Sequence, residues 1–156
     1  MKKDLRKSFV VGTAFLALTL VTGAATPSVD PNPKQAKITV YKDPSCGCCR
    51  NWIEHLKKHG YAVDAKDTPT MAEVKRTLGV PNALHACHTA VVNGYLIEGH
   101  VPAADIARLL KQKPKVAGLA VPGMPMGSPG MEGPGKQHYQ VLSFDKSGNT
   151  KVFATY

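Results

Sequence analysis

Three cysteines within four residues, Cys46-Gly47-Cys48-Cys49, stand where a strand gives way to a helix. Upstream, Ile38-Thr39-Val40-Tyr41 is β-branched and aromatic, with Ile38 and Val40 on one face and Thr39 and Tyr41 on the other. Asp43-Pro44-Ser45 breaks that strand, and from Cys48 the pattern turns helical. Cys49, Trp52, Ile53 and Leu56 form one stripe while Arg50, Glu54, Lys57 and Lys58 face away, and Gly60 closes the helix. Two thiols at the spacing of Cys46 and Cys49 suffice for a dithiol/disulfide couple, so Cys48 requires another explanation.

The rest of the chain decides what sheet this strand joins. Tyr61 to Ala65 reads as a second strand. Thr70 and Glu73 have the spacing of a capping box ahead of a helix with Met71, Val74 and Leu78 on one face, ending at Gly79. Thr89 to Val92 and Tyr95 to Glu98 flank Asn93-Gly94, the signature of a tight hairpin. Pro102 suits the first turn of a third helix that turns Ile106, Leu109 and Leu110 inward. The expected order is β-α-β-α-β-β-α, an α/β fold with the thioredoxin-like layout. Beyond Pro114 the chain changes character: Gly118 to Gly135 is a Gly/Pro/Met-rich loop without period, and His138 to Phe144 with Thr150 to Thr155 predict a terminal β-hairpin.

The amino terminus sets the compartment. Met1 to Lys7 is basic, Phe9 to Val21 apolar, and Thr22-Gly23-Ala24-Ala25 small, the three-part layout of a secretory signal cleaved near Ala24 or Ala25. The apolar run is short of the ~20 residues that span a bilayer, so a permanent anchor is not expected. Residues 1–24 therefore read as signal peptide, 25–36 as a flexible leader, 37–113 as the thioredoxin-like domain and 114–156 as its extension. Export implies oxidising surroundings, here the periplasm. The formal charge of +9 includes four basic residues of the signal, and the others, among them Lys57, Lys58, Lys75, Arg76 and Lys111, are scattered as solvated helix faces. A nucleic-acid surface would need them clustered with aromatics.

A helix amino terminus favours the thiolate, which is both the nucleophile of disulfide exchange and a ligand for soft metals. Four cysteines allow two ordinary disulfides, but a bond between adjacent Cys48 and Cys49 is strained, and only Cys46 with Cys49 has comfortable redox spacing. Stabilising disulfides, a thiol-disulfide couple and metal binding all remain open. Crowding of three thiolates favours the last, because cations that share sulfurs relieve their repulsion.

His85-Ala86-Cys87-His88 precedes the third strand. In a thioredoxin-like fold this segment lies opposite the cysteine motif, a placement taken from the fold and not from spacing. Cys87 would then complete a four-sulfur set and His88 could add an imidazole, although in extended chain the two point to opposite sides. His85 reads as a surface residue. His100 is either an outer ligand or a cap of the third helix. His55 lies about 10 Å along the helix from Cys48, too far to share an ion, and Trp52 reads as core. Met124, Met126 and Met131 sit in a loop with few other large apolar side chains. Thioether sulfur suits Cu(I) and adds little for zinc, so copper is expected over zinc.

Taken together, Tyr41 to Cys49, Cys87-His88-Thr89-Ala90, Glu98-Gly99-His100-Val101-Pro102 and the Pro122 to Glu132 block resemble, in order, the signatures of the CopG-like copper-resistance proteins. The resemblance implies an exported thioredoxin-like domain whose extension helps bind metal. It implies several copper ions bridged by the sulfurs of Cys46, Cys48, Cys49 and Cys87, with methionines of the extension contributing, and interconversion of Cu(I) and Cu(II) beside copper efflux proteins. On that basis the chain is expected to be a periplasmic, redox-active copper-binding protein, with copper oxidoreductase as the enzyme class it would fall in; a monomer is the default expectation. A thiol-disulfide oxidoreductase using Cys46 and Cys49, and a passive copper carrier, are the alternatives. No proline directly precedes the Thr89 strand, where thioredoxins carry a cis-proline, which favours metal capture over binding of peptide disulfides.

Overall fold

The structure is a computed structural model and describes residues 36–156; the expected signal peptide and nearly all of the expected leader lie outside the described residues. The first strand, β1 (Lys37–Lys42), is flanked by a parallel partner, β2 (Ala62–Asp67), and an antiparallel one, β3 (His88–Val92). β3 turns through Asn93-Gly94, both at positive φ, into β4 (Tyr95–Glu98), the geometry of a two-residue hairpin. Helices α1 (Gly47–Lys58), α2 (Met71–Leu78) and α3 (Ala103–Gln112) complete the expected β-α-β-α-β-β-α order.

The extension continues this sheet. Gly118 to Ala120, expected as loop, form a short buried strand, β5, parallel to β4, which pairs in turn with the hairpin of β6 (Gln140–Phe144) and β7 (Thr150–Thr155). Three residues are too few to show a period, and burial on both faces removes the alternation that marks a half-buried strand. Glycine is required at the start of β5, where a Cβ on Gly118 would stand 2.0 Å from the Leu96 carbonyl oxygen. One sheet of seven strands results, in the order β2-β1-β3-β4-β5-β6-β7.

Apolar side chains cover both faces. Ile38, Val40, Ala90, Ile97 and Leu119 pack with Trp52, Ile53 and Leu56 of α1 and Ile106, Leu109 and Leu110 of α3. On the other face Leu96, Ala120 and Phe144 meet Val80 and Leu84, the latter in a 3-10 turn over Asn82–Leu84. α2 departs from expectation twice. Thr70 makes no capping bond to the helix, its hydroxyl lying against that of Thr68 while Glu73 pairs with Arg76. The expected stripe of Met71, Val74 and Leu78 is half-buried, and the buried residue of α2 is Lys75, drawn in by an acidic partner. Among the described residues no helix is long and apolar enough to cross a membrane.

Candidate metal centre

Helix α1 begins at Gly47 because Cys46 takes the cap: its backbone is extended, and its Sγ accepts a hydrogen bond from the Cys49 amide at 3.3 Å. This geometry turns Cys46, Cys48 and Cys49 toward one end of the sheet. Cys46 and Cys49 are joined by a disulfide, while Cys48 and Cys87 are free. Cys48 Sγ lies 3.5 Å from Cys46 Sγ and 3.8 Å from Cys87 Sγ. The sulfurs of all four cysteines fall within 4.8 Å of one another. Tetrahedral metal-thiolate sites with bonds of about 2.3 Å place their sulfurs ~3.8 Å apart, which the Cys46–Cys48 and Cys48–Cys87 separations match, whereas Cys46 and Cys49 are bonded to each other.

Cys87 reaches this group because residues 85–87 lie between the 3-10 turn and β3 and are not extended strand. The turn there resolves the conflict of side-chain directions: His88 Nδ1 comes within 3.3 Å of Cys87 Sγ. His88 is fully buried, and its ring packs on Trp52 with centroids 4.3 Å apart. Its Nε2 has no hydrogen-bond partner among the described residues, an unusual state for a buried ring nitrogen.

His100 stands on the other side of Cys87. Its Nδ1 lies 2.7 Å from the Pro129 carbonyl oxygen and its Nε2 3.0 Å from Cys87 Sγ. A carbonyl only accepts, so Nδ1 carries the proton and the Nε2 lone pair faces the sulfur, the arrangement of a ligating histidine fixed by a second partner. Cys87, His88 and His100 thereby form a second group of donor atoms within 4.8 Å, sharing Cys87 with the four-sulfur group. Burial, with the neighbouring Cys48 charge, pushes the Cys87 thiol up to about 12. Burial, with the charges of His100 and Lys75, depresses His88 well below its ordinary value, and burial depresses His100 as well. At neutral pH the metal-free centre thus holds a protonated Cys87 and neutral imidazoles, and a metal must displace the thiol proton.

The extension closes over this centre. Gly130, at φ +88°, presses on the first turn of α1: a Cβ there would stand 2.8 Å from the Cys48 carbonyl oxygen and from the Trp52 amide nitrogen. Met131 follows directly, its amide donating to the Ser128 carbonyl at 2.9 Å. Met126 packs over Gly133, whereas Met124 is 53% exposed.

Two sequence readings change here. His85, expected at the surface, is half-buried with Nε2 3.2 Å from the Val80 carbonyl oxygen. Capping of α3 falls to His55, whose Nε2 accepts from the Ala103 amide at 3.1 Å, and not to His100. Sequence reasoning also missed Lys75 and Glu98, a buried ion pair beneath Cys87 with an Nζ–Oε1 distance of 2.5 Å. The available signal was an acidic residue ending an otherwise apolar hairpin strand.

Comparison with known proteins follows the same segments. A family described as "Protein of unknown function, DUF411" matches residues 84–131, which carry Cys87, His88, His100 and the three loop methionines. Two solved structures, "Copper resistance protein copG- Form 2" and "Copper resistance protein copG- Form 1", are each 46% identical, cover 78% of this chain and 98% of their own, and superpose with a TM-score of 0.74. No curated protein matches. With that identity sustained over nearly the full length of both structures, the chain belongs to the CopG family of copper resistance proteins.

Proposed function

We propose that this protein is a periplasmic, monomeric copper-binding protein of copper resistance that gathers several copper ions on shared cysteine sulfurs and interconverts Cu(I) and Cu(II). The observation that carries this reading is the convergence of four cysteine sulfurs with two imidazoles on Cys87 as the common atom. Sulfur suits Cu(I), and imidazole also accommodates Cu(II), so one compact centre offers donors for both oxidation states. Cys46, Cys48, Cys49 and Cys87 are the bridging ligands, and His88 and His100 complete the nitrogen side. Met131 follows Gly130, which packs on the first turn of α1, Met126 belongs to the same loop, and the exposure of Met124 suits a thioether that first meets copper from solution.

For Cys46 and Cys49 to serve, their disulfide must be reduced, which takes two electrons and yields two thiols whose protons copper then displaces. With a thiol reductant supplying those two electrons, oxidation of the dithiol back to the disulfide returns them, enough to convert two Cu(II) to two Cu(I), releases two protons and takes Cys46 and Cys49 out of the ligand set until they are reduced again. The signal-peptide layout supports the periplasmic address, the relatives' copper-resistance names support copper as the metal, and copper efflux proteins are proposed as neighbours in function.

Metal analysis and a visible spectrum of the protein as purified, and again after reduction and copper loading, test the proposal. More than one copper per chain with thiolate-to-copper absorption is expected. Stoichiometric zinc without copper, or no metal after reduction and copper loading, sinks it. The Cys46–Cys49 disulfide itself favours a second reading, thiol-disulfide oxidoreductase. That reading predicts disulfide reductase activity that survives both Cys48→Ser and Cys87→Ser.

A further inference from the structure

Lys75 and Glu98 lie directly beneath the metal centre without contributing to its donor set. Glu98 ends β4 opposite Thr89 of β3 and is fully buried; Lys75 reaches it from α2 with 4% of its surface exposed. Lys75 Nζ donates to Glu98 Oε1 at 2.5 Å and to Thr89 Oγ1 at 2.9 Å. The Thr89 hydroxyl donates to Glu98 Oε2 at 2.6 Å, and the Ala86 amide donates to Glu98 Oε1 at 2.6 Å. One carboxylate therefore holds the chain on both sides of Cys87-His88, by the amide before and the hydroxyl after. Gly99 tightens the same clamp: its amide donates to the His88 carbonyl at 3.0 Å, and a Cβ on it would stand 2.7 Å from Ala86 Cβ.

A buried ion pair is an expensive way to fill this space. Removing each ion from water costs several kcal/mol, and apolar side chains of similar volume are often as stabilising as the pair. Hydrocarbon at positions 75 and 98 would pack, but it would leave the Ala86 amide without an acceptor. What the carboxylate supplies, and packing cannot, is a fixed direction for the backbone amide next to Cys87. Residues 85–87 belong to no strand or helix that would otherwise hold them.

We propose that Lys75 and Glu98 are positioning residues of the metal centre, holding the Ala86–Cys87–His88 segment so that Cys87 Sγ stays within reach of both Cys48 and His100. This rests on the copper-binding reading of the cluster. Two double variants separate positioning from packing, and neither leaves a lone buried charge. K75M/E98Q keeps a carbonyl acceptor for the Ala86 amide; K75M/E98L fills the space without one. Each is compared with the wild type by hydrogen exchange of the peptide spanning residues 84–88 in metal-free, reduced protein. Cu(I) affinity is measured by competition with a chromogenic chelator.

K75M/E98L is expected to exchange at least tenfold faster in that peptide and to bind Cu(I) at least tenfold more weakly, while K75M/E98Q stays within threefold of wild type on both. Wild-type Cu(I) affinity in folded K75M/E98L, whatever its exchange, overturns the inference. Should K75M/E98L fail to fold, Thr89→Val carries the same test: it removes the hydroxyl's bonds to Glu98 and from Lys75 and leaves the Lys75–Glu98 pair and the Ala86 amide bond in place. At least a threefold loss on both measures is expected, and wild-type values overturn the inference. A wild-type protein that binds no copper removes the copper reading, while the exchange comparison still decides whether the pair holds the Cys87 segment.

Discussion

Cys48 occupies the middle of the centre, with its sulfur between that of Cys46 in the disulfide and that of Cys87 across the cleft. No disulfide uses it, and it is only partly buried, so the fold does not depend on its thiol. Cys48→Ser should leave the unfolding free energy of the metal-free protein within about 0.5 kcal/mol of wild type by denaturant titration. It should lower copper per chain by at least one ion in metal analysis; unchanged stoichiometry would remove Cys48 from the ligand set. The crowding of Cys46, Cys48 and Cys49 was legible in the spacing of the sequence, and Cys87 joined them only through the thioredoxin-like layout. His88 and His100 were named as candidates, but their approach to Cys87 was not legible, since it depends on backbone turns and on a carbonyl 29 residues away at Pro129. Lys75 misled for a similar reason: on a helix read alone a lysine belongs to the wet face, and only the position of Glu98 reverses that.

Among the elements, α1 and α3 are coupled by His55, which supplies the Ala103 amide with the acceptor that Pro102 lacks. Only a neutral imidazole can accept there. Burial, with the charge of His59, lowers the folded-state pKa of His55 below its ordinary 6.5, against a smaller opposing effect of Glu132. A lowered histidine pKa contributes stability in full above the unfolded value and loses it as pH falls through the folded one. Unfolding titrations from pH 7.5 to 5 should therefore show a shallower decline for His55→Gln, which accepts without titrating, than for wild type; parallel curves would refute the coupling. His55→Ala should cost about 1 kcal/mol at pH 7.5, the usual worth of a helix cap. Elements with a clear period, such as β1, α1 and α3, were readable in advance. β5 and the cap of α2 were not, because three buried residues show no period and the Thr70 hydroxyl found a nearer partner in Thr68.

At the scale of the whole molecule, the redox state of one bond sets how many sulfurs are open to copper. The chain has four cysteines, of which Cys48 and Cys87 are free. Thiol titration of the denatured, metal-free protein should count about two thiols after air oxidation and about four after reduction, by the pairing geometry that favours Cys46 with Cys49. Four thiols before reduction would contradict the disulfide. The strand that the sequence concealed matters more widely than its three residues suggest. β5 lies along β4 and carries the methionine loop on its far end, so a protein shortened at Pro114 would bare the backbone of β4 as an unguarded sheet edge, open to pairing with other chains. The loop's sulfurs can be exchanged one at a time, but the lid as a whole cannot be detached from the body it covers.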